Sequence, residues 1–422
     1  MTTENFAVPS AKPPAFAALR LPGYRAHFIT YVLAMMADNI EHVISYWVAF
    51  QKFHSPALGG FAVLSHWLPF LAFSVGVGAL NDRFDTRRII QAGMALFIAA
   101  SLGWGYFFVT DSLTMAGAML LLVLHGCAGV LWQTSSQMLL HDIVGPALLP
   151  SAVRLNATAR YLGVLVGPAV GGLLMLTLGP NRGIFLNTVF YLPLLLWLVR
   201  APYGRHFRGD RAPPKRAVRG LADIAQTFRD VRGIPVLVIM ILLGGGASFF
   251  IGNSYQAQMP GFAHDLGHGD PGTSYSALLA ADAAGALVAG FLLESRGGLL
   301  PTSPASALRL AVLWALALGG FAFAHAYPLA LVLLFTAGFF ELSFSSMMQT
   351  LVQLNAPDEI RGRVLGLFNM SSLGLRAFSG ITVGLVGSAI GIHTSLAISA
   401  LAFATFMALL LWRAPVTPTR NV

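Results

Sequence analysis

The chain has 422 residues, of which 56% are hydrophobic and only 10% charged, and its formal net charge is +9. A typical soluble domain carries about 25% charged residues, and a water-soluble fold of this length has too little interior to hide so much apolar side chain. Intrinsic disorder, a fibrous repeat and an ordinary soluble enzyme are excluded, which leaves a membrane protein with many spans.

Residues 1–24 hold Pro9, Pro13, Pro14 and Pro22 and no apolar run, so no cleavable signal is read there and the first span is expected to stay in the mature protein. At about 20 apolar residues per helical span, twelve segments follow: 28–52, 57–80, 89–110, 113–141, 153–178, 182–200, 235–259, 274–295, 305–325, 327–351, 363–388 and 391–412. The fold class predicted is an all-α membrane protein, with 12 transmembrane helices in two six-helix bundles. The N-terminal bundle covers 1–200, a cytoplasmic linker 201–234, and the C-terminal bundle 235–422. The linker holds Pro213 and Pro214, and nine Lys or Arg lie between Arg200 and Arg232.

With the N-terminus placed inside, 22 of the 26 basic residues fall on the inner side and only Arg182 on the outer. The positive-inside rule then puts both termini in the cytoplasm and supports an even number of spans. The same asymmetry accounts for the net charge as a basic face toward anionic lipid, with no nucleic acid needed. The single cysteine, Cys127, lies in an apolar run and excludes an internal disulfide and a Cys-based zinc cluster.

The first span carries Asp38, Glu41 and His42 near its middle, at spacings that share one helix face. Two carboxylates so close in a low dielectric do not readily both ionise, which suits a proton-coupling site. The alternative is a static ion pair with Arg160 of the fifth span. Tyr46 and Trp47 continue the face toward a possible cavity. The loop after the second span reads Gly78-Ala79-Leu80-Asn81-Asp82-Arg83-Phe84-Asp85-Thr86-Arg87-Arg88. Its glycine permits close backbone approach, and its acid can face a helix N-terminus or an arginine while its bases meet lipid phosphate.

In the fourth span His125 could titrate or bind substrate, and Trp132, Gln133 and Gln137 could line a cavity, since a membrane amide needs a partner. The fifth span reads Gly163-Val164-Leu165-Val166-Gly167-Pro168-Ala169-Val170-Gly171-Gly172. Gly163 and Gly167 give a small-residue packing face, Pro168 is expected to bend the helix, and Gly171 and Gly172 to let it press on a partner. In the outside loop after the seventh span, His264 and His268 with Asp265 and Asp270 only weakly suggest metal, because their glycine-rich loop offers no rigid frame. Asp282 in the eighth span could be a second proton site, and Glu341 of the tenth could pair with Arg376 of the eleventh or take part in coupling.

The halves repeat at an offset of about 210 residues, with Gly78–Arg83 answering to Gly290–Ser295, Ser135-Ser136 to Ser345-Ser346 and Ser45-Tyr46 to Ser254-Tyr255. No nucleotide-binding Gly-x4-Gly-Lys-Ser/Thr loop and no nucleophile–base pattern is present, so neither ATP drive nor an enzyme is expected.

The loop Gly78–Arg88 resembles the signature loop of the major facilitator superfamily, Gly-x-Leu-Ala-Asp-Arg-x-Gly-Arg-Lys, matching at Gly78, Leu80, Asp82 and Arg83. Asn81, Asp85 and Thr86 depart from it, and Arg87 stands in for the lysine. Gly163–Gly172 is similar, at every specified position, to the antiporter motif of that superfamily's drug:proton exporters. The Arg-x-x-Gln-Gly element of such exporters is partly missing, with His125 at the arginine position and Ala128 at the glutamine. Together with Arg361-Gly362-Arg363, the chain resembles most the bacterial branch of macrolide and siderophore exporters.

That resemblance implies the major facilitator fold, with Gly78, Asp82, Arg83 and Arg87 as a conformational latch and Gly163, Gly167, Pro168, Gly171 and Gly172 as a seal against leak. It implies proton-coupled efflux of amphipathic small molecules from the bacterial inner membrane by a monomer, with no cofactor beyond the proton gradient. Asp38, Glu41, His42, Asp282 and Glu341 are the candidates for proton coupling, and Tyr46, His125, Gln133, Arg160 and Arg376 for the substrate cavity. The rival readings are a lipid or lysolipid transporter, proton-symport uptake and a non-transporting membrane receptor.

Overall fold

The computed structural model describes residues 14–204, 207, 217–267, 274–297, 300–379, 383 and 386–413. Every regular element among these residues is helical. Much of the linker around Pro213 and Pro214, and His268 and Asp270 of the outer loop, lie outside the described residues.

Helix α1 (Pro22–Phe53) opens on a proline, whose missing N–H is no loss at the first helical position, and stops at His54 in the left-handed region (φ 47°). Helix α2 (Pro56–Arg83) is capped by Ser55, whose hydroxyl accepts from Leu58 N at 3.3 Å. Helix α3 (Thr86–Val109) is capped by Asp85, which accepts from Arg87 N at 3.0 Å. The departure from the family pattern at position 85 therefore serves as an N-cap.

Helix α4 (Met115–Arg200) runs 86 residues but is broken at Gly145 (φ 68°) and Gly179 (φ 75°), each followed by a proline. Glycine adopts these positive angles freely, and the proline starts the next helix. Three legs result, and the shortest, residues 180–200, is about 30 Å long, the thickness of a bilayer core. The sharp breaks lie at these glycines and not at Pro168, which stays within helical backbone.

The amphipathic α5 (Leu221–Val231) precedes α6 (Pro235–Phe250), short α7 (Ser254–Ala257) and α8 (Met259–Asp265), and then α9 (Ser274–Ser295), α10 (Pro304–Ala322) and α11 (Tyr327–Asn355). Next come α12 (Arg361–Asn369), a π-helical turn over Met370–Gly374, α13 (Arg376–Ser379), α14 (Val386–Ile390) and α15 (Ile392–Arg413). Among the described residues, eight helices, α4 among them, are long and apolar enough to cross a membrane.

Two expected spans are interrupted. The seventh breaks after Phe250, where Gly252 takes φ 51°. The eleventh passes through the π turn, where Ser248 donates to the Ser372 carbonyl and Ser371 to the Ile241 carbonyl at 2.9 Å. These hydroxyl-to-carbonyl bonds fasten the turn to α6.

One aromatic core joins Tyr31, Phe97, Trp132 and Tyr191 of α1, α3 and α4, with Phe97 stacked on Tyr191 at 5.1 Å. Another joins Phe262, Trp314, Phe321 and Phe403 of the C-terminal helices. Large apolar side chains such as Leu120, Leu176, Leu401 and Trp412 are exposed on the outside, the arrangement expected of a surface that faces lipid.

Candidate functional site

At one end of the molecule the N-terminal and C-terminal helices are tied together by Asp82. Its Oδ1 accepts from Gly362 N at 2.7 Å, and its Oδ2 from Arg363 N at 3.2 Å and Arg363 Nη1 at 2.8 Å. Arg363 also donates to Asp223 on α5 at 3.0 Å and to the Ala217 carbonyl at 2.7 Å. Gly78 lets this happen, because a Cβ there would stand 2.1 Å from the Gly362 carbonyl oxygen. The carboxylate faces the exposed N–H groups that begin α12, where anions bind well.

The sequence repeat places a second tie at the same end. Glu294, which answers to Asp82, is bound to Arg154 Nε at 2.9 Å and to Ser151. Gly290, which answers to Gly78, sits against Thr158 so closely that a Cβ would stand 2.0 Å from its hydroxyl. Gln137 on α4 donates to Asn369 at 3.0 Å, and Asn369 to Thr134 at 3.2 Å, adding polar contacts between α4 and α12.

Two of the expected latch residues do not cross the seam. Arg83 is exposed and lies 5.6 Å from the centre of the neighbouring Phe84 ring. Arg87 is buried rather than facing lipid phosphate. It pairs with Asp85 at 2.7 Å and donates to the Ala201 carbonyl at 2.8 Å, fastening the start of α3 to the end of α4.

The glycine-rich stretch of α4 packs on α1. A Cβ at Gly163 would stand 2.7 Å from Met35 Cβ, one at Gly167 2.5 Å from Asn39 Cβ, and one at Gly171 3.3 Å from Val43 Cβ. Gly172 meets nothing within 4 Å, so it does not share the packing face expected of it. Spacings of four residues keep 163, 167 and 171 in line, and 172 is turned away.

Beyond the closed end lies a cavity between the two sets of helices. Its inner part is lined by Tyr31, Gln137, Asn156, Ser248, Trp314 and Asn369 among others. Its outer part is lined by Asp38, His42, Tyr46, His66, Trp67 and Gln256 among others. Gln133, Arg160, Glu341 and Arg376 face both parts. Amide, charged and aromatic side chains thus surround one space, which suits an amphipathic ligand.

Neither expected carboxylate–guanidinium pair forms. No salt bridge within 4.0 Å joins Glu341 to Arg376, or Asp38 or Glu41 to Arg160, among the described residues. Arg160 lies 5.4 Å from the Tyr161 ring centre, and Arg376 4.9 Å from that of Trp67. Both guanidinium groups line the cavity.

Asp38 and Glu41 instead meet His125. Its Nδ1 bonds Glu41 Oε1 at 2.8 Å, and its Nε2 lies 2.9 Å from Asp38 Oδ1 without a well-directed hydrogen bond. Glu41 is 1% exposed and also bonds Ser101, so it sits inside the N-terminal helices, whereas Asp38 and His42 line the cavity.

The second acidic site is built differently. Tyr255 Oη lies 3.0 Å from Asp282 Oδ2 and 3.5 Å from Glu341 Oε2, and Gln256 donates to Asp282 at 3.1 Å. These partners are neutral, and Glu341 opens on the cavity. Sequence reading did not place Tyr255, Gln256, Trp67, His66 or Asn369 at the site. The polar character of Gln256, Asn369 and His66 within apolar segments was the available signal.

The family model described as transmembrane secretion effector matches residues 13–421. The multidrug efflux pump Tap of Mycolicibacterium fortuitum is 25% identical over 369 residues, 86% of this chain and 88% of that protein. The enterobactin exporter EntS of Shigella boydii serotype 4 is 25% identical over 376 residues, 87% of this chain and 86% of that protein. The crystal structure of the human organic anion transporter MFSD10 (TETRAN) superposes with a TM-score of 0.71 at 14% identity, covering 92% of this chain and all of that one, a likeness of fold.

Proposed function

The chain belongs to the transmembrane secretion effector family, within the major facilitator superfamily of multi-pass membrane transporters, and we propose that it exports amphipathic small molecules by alternating access, driven by the proton gradient. The twelve spans form two six-helix bundles, 1–200 and 235–422, on either side of the cavity, and the three legs of α4 and the separate aromatic cores support that division. The protein acts as a monomer in a bacterial inner membrane with both termini cytoplasmic. The Asp82 end then faces the cytoplasm, and the cavity opens outward.

One observation carries the reading. Gln133, Arg160, Glu341 and Arg376 converge on a cavity whose one end is closed by Asp82–Arg363 and Glu294–Arg154. Charges held there without a salt bridge are costly unless cargo or protons use them. Asp282 and Glu341, linked through Tyr255 with only neutral hydrogen-bonding partners, are the groups that exchange the proton. Arg160, Arg376, Tyr161, Asp38, His42, Tyr46 and His66 are charged or titratable groups that share the outer part of the cavity with Glu341. A proton arriving from outside leaves the guanidinium groups the stronger local charge and so changes which cargo is held. Efflux by two relatives, to judge by their names, supports the outward direction.

The test is efflux of cationic, neutral and anionic fluorescent dyes from cells producing the protein. Efflux of at least one dye above control cells, abolished by an uncoupler, is the expected result. No efflux above control ends the export reading, and efflux indifferent to the uncoupler ends proton coupling.

A lipid or lysolipid transporter is the second reading. It draws on a separate, mostly apolar pocket at the seam of α4 with α9, α10 and α11, with Arg154 among its polar linings. Lysolipid flip in proteoliposomes, with no dye efflux, would favour it.

A further inference from the structure

Three imidazoles meet at the outer wall of the cavity, one from each of three helices: His42 on α1, His66 on α2 and His125 on the first leg of α4. One ring nitrogen from each lies within 4.8 Å of the others. The ring centres are 5.0 Å apart for His42–His66, 4.5 Å for His42–His125 and 5.8 Å for His66–His125. Asp38, one turn before His42, brings Oδ1 to 2.9 Å from His125 Nε2.

The chain has arranged itself to make this approach. Gly126 follows His125, and a Cβ there would stand 2.0 Å from the Ser65 carbonyl oxygen and 3.0 Å from Pro69. Pro69 has no N–H to offer Ser65, four residues earlier. A glycine on α4 and a proline on α2 therefore let the two backbones close up beside His66.

We propose that His42, His66, His125 and Asp38 form a site for one divalent transition-metal ion of the zinc class. The donor set, three imidazoles and a carboxylate, is one that such ions favour in tetrahedral geometry. Metal–nitrogen bonds of about 2.1 Å require nitrogens roughly 3.4 Å apart, so modest side-chain rotations suffice. His125 is already oriented for the task. Glu41 takes its Nδ1 at 2.8 Å, which leaves Nε2 to the ion, the usual carboxylate–histidine–metal relay. Nε2 of His125, Nδ1 of His66 and Oδ1 of Asp38 are buried polar atoms without a well-directed hydrogen bond. A doubly charged ion would balance Asp38 and Glu41 together, in a place where two carboxylates are otherwise expensive. Asp38, His42 and His66 line the cavity, which supplies the entry path.

All four ligands belong to the N-terminal helices, so the ion moves with that bundle and does not bolt the two together. Cargo that carries its own donor atoms would reach the ion only by displacing Asp38 or adding a fifth bond, which would favour such molecules over others.

The full-length protein, purified in detergent and stripped with EDTA, is titrated with Zn²⁺ by calorimetry, and separately with Co²⁺ while its visible spectrum is recorded. An exposed group, His264 and His393 around Asp265 at 3.2 and 3.4 Å, is removed from consideration by working in a His264→Gln/His393→Gln background. One equivalent of Zn²⁺ and an intense tetrahedral Co²⁺ spectrum are expected. His42→Gln and His66→Gln should each weaken Zn²⁺ binding about tenfold or more and abolish the Zn²⁺-induced rise in Tm, while the EDTA-treated variants melt as one folded species. Absence of stoichiometric Zn²⁺ and Co²⁺ binding in that background overturns the proposal, as does binding unchanged by both substitutions. Mg²⁺ binding as tight as Zn²⁺ would also overturn it, because it would show an oxygen site. These readouts do not involve transport and stand apart from the export reading.

Discussion

Asp82 on α2 reaches Arg363 at the start of α12, with both side chains 3% exposed and 2.8 Å between Oδ2 and Nη1. Two backbone N–H groups complete the grip. A buried carboxylate so fully satisfied is expensive to remove, because Arg363 would keep only Asp223 as its counter-charge. Asp82→Asn retains the shape and loses the charge. Loss of a charged hydrogen bond of about 2 kcal/mol should open this end in a larger share of molecules. In a Cys127→Ser background, a cysteine at Ser136 should then be labelled about thirtyfold faster by an impermeant thiol reagent applied to the Asp82 side.

Glu294–Arg154 is the same device in the second repeat. Glu294→Gln alone should speed that labelling by a smaller factor than the pair Asp82→Asn/Glu294→Gln. If the two ties hold one closed state with no shared partner, the double variant should come close to the product of the single effects. Labelling rates of the four proteins check this.

The glycines of α4 differ by one position in what they touch. Gly167→Ala drives a methyl to 2.5 Å from Asn39 Cβ, which should cost about 1–3 kcal/mol as overpacking between α1 and α4. Gly172→Ala meets open space and should stay within about 0.5 kcal/mol. Thermal unfolding in detergent should show a clear fall in Tm for the first and almost none for the second.

Arg376 rests its guanidinium on Trp67 across the cavity. Arg376→Lys keeps the charge and loses the flat face that lies on the indole, so it should weaken binding of an anionic or neutral dye less than Arg376→Ala does. Trp67→Leu, which removes the indole and leaves the charge, should reproduce most of the loss caused by Arg376→Lys. Dye affinities from fluorescence titration decide it.

Helical class, the apolar segments, the glycine face of α4 and the meeting of Asp82 with an arginine at a helix start can all be read from local patterns. Periodicity and motif spacing report which residues share a face. They do not report the rotation of one helix against the next. Asp38 and Glu41 therefore look ready for Arg160 in sequence, yet the turn of α4 brings His125 to them. Glu341 and Arg376 lie on neighbouring segments without pairing, because the π turn at Met370–Gly374 resets the phase of Arg376 toward Trp67. Arg87 reads as a surface base until the end of α4 arrives to take its hydrogen. His66 shows in the sequence only as a polar residue in an apolar segment, and its place beside His42 and His125 depends on the two other helices that supply them.

The central claim is that protons move cargo through the carboxylates beside Tyr255. The most direct measurement is dye transport into proteoliposomes under an imposed pH gradient, comparing the unaltered protein with Asp282→Asn/Glu341→Gln. Gradient-driven uptake should be present in the first and fall about a hundredfold in the second, while dye binding in detergent survives and loses its pH dependence. Gradient-driven transport of equal rate in both proteins would contradict the account.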